Sequence, residues 1–92
     1  MAMQTDILAT SLAASGTASA GRARVRGALI EPGVSAGSVV FKDGGSGGTT
    51  KFTVNTTANG ESFSVVIPAD GVLCTTDVYC VLTNAKVTVF YA

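Results

Sequence analysis

Apolar and polar positions alternate with a period of two along most of the chain. In GRARVRGALI, residues 21–30, Ala23, Val25, Gly27 and Leu29 are set to face one way and Arg22, Arg24 and Arg26 the other. Val39 and Phe41 share a face in SVVFK. In KFTVN, Phe52 and Val54 oppose Lys51, Thr53 and Asn55. SFSVVI offers Phe63, Val65 and Ile67, and VYCVLT offers Val78, Cys80 and Leu82. KVTVFY sets Val87, Val89 and Tyr91 against Lys86, Thr88 and Phe90. Successive side chains of a strand point to opposite faces, and β-branched and aromatic residues suit such a half-buried surface. Each of these runs is therefore expected to be a strand.

Turn chemistry separates the runs. Asn59-Gly60 is the strongest short hairpin signal, and Thr83-Asn84-Ala85-Lys86 is expected to close the last hairpin. Pro68-Ala69-Asp70-Gly71 has the composition of a tight turn, and Pro32-Gly33 ends the arginine-bearing strand. Strands recurring every 8–12 residues predict an all-β fold, a small antiparallel sandwich of six to eight strands. No segment predicts a helix. The Ala/Ser-rich segment 7–20 is weakened for helix by Thr10, Ser15, Gly16 and Thr17 and lacks an apolar helical face. Residues 1–20 are expected to form an extended N-terminal arm or irregular edge strand, and residues 21–92 the sandwich domain.

The stretch DGGSGGTTKF, residues 43–52, poses a question of chemistry. A phosphate-binding loop needs GxxxxGK[ST] between a strand and a helix, so that backbone N–H groups, a lysine and the helix dipole converge on the anion. Here Lys51 follows two threonines and what comes next, KFTVNTT, has strand character. The loop is expected to join two strands, with no nucleotide.

Composition narrows the partners. The chain is 92 residues long, 47% hydrophobic and only 13% charged. That charge content is about half the ~25% usual for a soluble domain. Such a surface is expected to be covered by neighbours in a stable assembly. Six basic and six acidic residues balance, so net charge points neither to nucleic acid nor to a membrane surface. No apolar run approaches a membrane span. The start of the chain imitates a signal peptide at Ala18-Ser19-Ala20, but it carries Asp6 and no basic region, and it is expected to belong to the mature protein.

Candidate chemistry is sparse. The two cysteines, Cys74 and Cys80, make neither a CxxC motif nor a Cys/His ligand set, so free thiols and no metal are expected. There is no histidine to serve as a base for a serine, threonine or cysteine nucleophile. Asp43, Glu61, Asp70 and Asp77 fall at strand ends and turns, where carboxylates cap. A non-enzyme without cofactor is expected. The patterned charges are Arg22, Arg24 and Arg26, which at this spacing line one strand face. They are candidate partner-binding residues, for carboxylates of a neighbouring subunit or, alternatively, for DNA phosphates.

The matched positions Asp43-Gly44, Thr49-Thr50, Ile67-Pro68, Asp70-Gly71, Val72-Leu73, Tyr79, Leu82 and 87–91 carry a cadence over residues 38–92. In this it resembles the small β-rich virion structural proteins, decoration or tail-associated, of short-tailed marine bacteriophages. The resemblance implies a structural part of the particle, assembled in the host cytoplasm. Joined with the low charge, it leads to the expectation of a capsid decoration or cement protein on the capsid exterior. Its partners would be the major capsid protein and copies of itself, with tail or portal proteins as further partners, and neither a small-molecule substrate nor a membrane. The alternatives are a tail ring or valve, or a module that binds the host surface.

Overall fold

The computed structural model describes residues 8–67 and 71–92, so most of the expected Pro68–Gly71 turn lies outside the described residues. The chain is an all-β sandwich of two antiparallel sheets, with no helix among the described residues. Among the described residues nine strands follow in order: β1 Leu8–Leu12, β2 Gly16–Ser19, β3 Ala23–Pro32, β4 Gly37–Asp43, β5 Thr49–Thr56, β6 Phe63–Val66, β7 Val72–Cys74, β8 Val78–Thr83 and β9 Ala85–Tyr91. One sheet runs β1-β9-β3-β6, with β7 also on β3; the other runs β2-β8-β4-β5.

The count exceeds the expected six to eight for two reasons. The described part of the 1–20 segment supplies two edge strands, with β1 docked on β9 and β2 on β8. Thr10 pins the corner between them by donating to the Ala18 carbonyl at 3.0 Å, and it also meets the Tyr91 hydroxyl at 3.2 Å. In addition, the strand after β5 is broken. β6 pairs with Gly27–Ile30 and β7 with Ala23–Val25, so both lie along β3, and the Ile67 N–H donates to the Arg26 carbonyl at 3.4 Å.

Two expected hairpins are sheet-to-sheet crossings instead. Asn59 takes a positive φ of 54°, as its turn chemistry demands, yet β5 and β6 belong to different sheets. Asn84, with φ 49°, likewise joins β8 to β9 across the sandwich. A local turn signal fixes a reversal of the chain. It does not fix whether the next strand pairs or turns over to the other layer. Among the described strands only β4 and β5 are both consecutive and paired.

The core is Val25, Ile30, Val39, Phe41, Val78, Cys80, Val87 and Val89 with smaller neighbours, and Phe41 stacks on Phe52 with centroids 4.2 Å apart. Alternation identified its members on β4, β8 and β9. On β3 it holds only to Val25. A bulge at Arg26 against β9 shifts the phase, so Ala28 and Ile30 are buried while Leu29 turns outward, against expectation. An extra residue reverses the face of everything beyond it.

Cys74 and Cys80 are free, buried and on opposite sheets. Burial raises both thiols, Cys80 to about 12 with Cys74 adding to it; for Cys74 the second cause is the Asp43 charge. The thiolate is the reactive species, so both should resist alkylation in the native protein. In denaturant, intact-mass analysis should record two adducts. A denatured mass lower by two hydrogens would refute the free-thiol assignment.

Candidate interaction surface

The glycine loop is answered by its neighbours. Gly44 and Gly45 take positive φ values of 107° and 79°, which turn their N–H groups towards Asp77. One Asp77 carboxylate oxygen accepts from both, at 2.9 and 3.0 Å. Asp43 returns the favour across the same gap. Its carboxylate accepts from the Thr75 N–H and hydroxyl at 2.9 and 3.1 Å, and from the N–H groups of Thr76 and Asp77 at 2.8 and 3.3 Å. The loop's would-be anion donors are thus used by the protein's own carboxylate. A strand, β5, follows the loop where a phosphate site needs a helix. The loop is a hairpin connection locked to the β7–β8 turn.

This lock has a pH signature. The Thr75 and Thr76 N–H groups, against an opposing desolvation, hold Asp43 well below its ordinary 3.8, at about 2. A depressed carboxylate stabilises the fold fully above its unfolded value and loses that contribution as pH falls through its folded value. The stability difference between wild type and Asp43→Asn should therefore be constant above about pH 5 and shrink as pH falls below 3.8 towards about 2. Urea midpoints measured across that window test it; a gap unchanged at low pH would reject the lock.

The three arginines do not form one uniform stripe. Arg22 lies exposed in the bend before β3, whereas Arg24 and Arg26 are half-buried on the strand. Both leave the core side to Ala23 and Val25. Arg26 is the bulge residue, and its Nε is buried with no hydrogen-bond partner among the described residues.

The face on which Arg24 and Arg26 lie mixes apolar and hydroxyl side chains. Register places Ala9, Phe90, Gly27 and Val66 in one row across the sheet, and Ser11, Thr88, Leu29 and Ser64 in the next. Their inward neighbours are Val87, Val89, Ala28 and Ile30, so these two rows form the outer face. The Ser11–Thr88 hydroxyl contact at 2.9 Å lies there. Val66 is 85% exposed, and Phe90 is exposed beside it. Alternation had already turned Phe90 outward. It missed Leu29, hidden by the bulge, and Val66, because in SFSVVI apolar residues occupy both phases.

At the end of the sandwich far from the glycine loop, residues 13–15, 31–34 and 84–86 with Leu82 line an open cleft of about 720 Å³. Glu31 and Lys86 stand opposite each other there on β3 and β9. Among the described residues no three His, Cys, Asp or Glu side chains gather as a metal site.

No protein-family model, curated protein or solved structure matches the chain.

Proposed function

We propose that this protein is a non-enzymatic structural component of a bacteriophage virion, a decoration protein on the capsid exterior that bridges major-capsid subunits. The observation that carries the proposal is the outer face of the β1-β9-β3-β6 sheet. Val66, Phe90 and Leu29 lie on that face with Arg24 and Arg26, and the Arg26 Nε is buried without an acceptor among the described residues. Apolar side chains on a face that carries two arginines suit a second protein that supplies both cover and a carboxylate. The cadence of residues 38–92 and the low charge content support the same reading. The mechanism is non-covalent. Each copy would span a seam between subunits and oppose the outward pressure of packaged DNA.

Copy number in purified particles, by quantitative mass spectrometry, tests the site. Hundreds of copies support a capsid role, and a single tail-ring complement of six to twelve rejects it. Arg24→Ala, titrated onto DNA-free and DNA-filled particles, tests the contact. Equal loss of occupancy on both supports a protein partner. Loss on filled particles alone points to DNA within a tail channel.

A further inference from the structure

The sandwich has four lateral edges, and three of them are obstructed. β2 is short and carries an irregularity between Thr17 and Ser19. β5 places Lys51 as an unpaired bulge residue, because Phe41 pairs with Phe52 and Lys42 with Thr50. The third edge is split between β6 and β7. Charges, bulges and short or broken strands are the devices by which sheets refuse further pairing. The fourth edge, β1, is five residues long and carries neither charge nor bulge among the described residues. Its pairing with β9 is regular from Leu8 to Leu12, and its sequence, LATSL, contains no charge, proline or glycine.

That sequence is also nearly the same in both directions. Antiparallel pairing of two copies about Thr10 would oppose Leu8 with Leu12, Ala9 with Ser11, and Thr10 with Thr10. A two-fold interface requires this kind of self-complementarity, since one patch serves both sides. Leu8, Thr10 and Leu12 lie on the core side, with Leu12 packed against the core, while Ala9 and Ser11 face outward. Leu8 is left 52% exposed in the single chain. In the pairing it would gain Leu12 of the second copy as cover.

We infer that β1 is a homodimerisation edge, joining the β1-β9-β3-β6 sheets of two copies into one continuous sheet across a two-fold axis at Thr10. The partner is a second copy of this chain, held by main-chain hydrogen bonds and by the Leu8–Leu12 contacts. The inference is independent of the decoration role. A monomer that still occupies particles would overturn the dimer alone, and a dimer that ignores particles would overturn the decoration role alone.

Register makes it testable, because directly opposed side chains on one face attract or repel according to charge. Ala9 and Ser11 are exposed, so substitutions there spare the fold. Sedimentation velocity of the wild type over the micromolar range should show a concentration-dependent dimer. In Ala9→Lys/Ser11→Lys, lysines oppose one another twice, and dimer dissociation should strengthen by about tenfold. In Ala9→Lys/Ser11→Glu each lysine opposes a glutamate, and the dimer should return. Both variants lose the Ser11–Thr88 contact alike, so that loss cannot explain a difference between them. A monomeric wild type, a dimer indifferent to both variants, or one abolished equally by both would overturn the inference.

Discussion

Phe41→Ala is expected to lower stability by about 3–5 kcal/mol, the cost of deleting a fully buried aromatic ring and leaving part of its volume empty. Phe41 is wholly excluded from solvent at the centre of β4, between β5 and β8, and it stacks on Phe52. Aromatic pairing adds to the area lost, so the substitution removes burial and contact together. Domains of this kind have about 5–15 kcal/mol in total, and each kcal/mol moves the melting temperature of a domain of this size by about 4–8 °C. The variant should melt far below the wild type or fail to fold at working temperature. Phe52→Ala, on a partly buried edge-strand residue, should cost clearly less. Thermal melts of the two variants side by side decide the matter. Equal losses would contradict the placement of the core.

Gly37→Ala is expected to be comparably damaging for a different reason. A β-carbon at Gly37 would fall on the Thr83 carbonyl oxygen, with the Asn84 β-carbon 3.0 Å away. Those atoms belong to the corner where the chain leaves one sheet for the other. Backbone cannot swing aside as a long side chain can, so the cost should reach or pass the upper end, about 3 kcal/mol, of ordinary overpacking. The Gly37 N–H also donates to the Thr56 hydroxyl at 3.1 Å, so displacement would strand a buried threonine. Gly47→Ala makes the control. Nothing lies within 4 Å of its added carbon, and the change should be neutral or slightly stabilising by restricting the unfolded chain. Denaturation midpoints within error of each other would refute the close approach.

The layer structure was legible because most strands obey one rule, with Val87 and Val89 in and Lys86 and Phe90 out. Where the rule failed, the residues themselves were ambiguous. Ala28, Leu29 and Ile30 are all apolar, so either phase of β3 satisfies the pattern, and only pairing with β9 shows that Arg26 is the extra residue. Asn59 and Asn84 announced their turns but not the destination of the next strand, which depends on contacts far away in sequence. The 1–20 segment concealed β1 and β2 because Ala, Ser and Thr carry little hydrophobic contrast. The Asp43–Asp77 exchange spans 32–34 residues, and no local spacing could have joined them. The arginine triplet was visible at once. The exposed apolar residues on the same face emerged only when register set Phe90 and Val66 in one row.

The crossings between layers also govern when the molecule can form. Leu8 pairs with Tyr91, and β3, central to the same sheet, takes β9 as a neighbour. The first described strand therefore has no partner until residues 87–91 have been made. Among the described strands, β4 and β5 are the pair that can close first. Non-local pairing of this order slows folding, because long loops must close before any contact rewards them. Synthesis would thus let β3 gather β6 and β7, and β8 join β4 and β2, as two separate sheets, with β1 left unpaired until β9 arrives to complete its sheet.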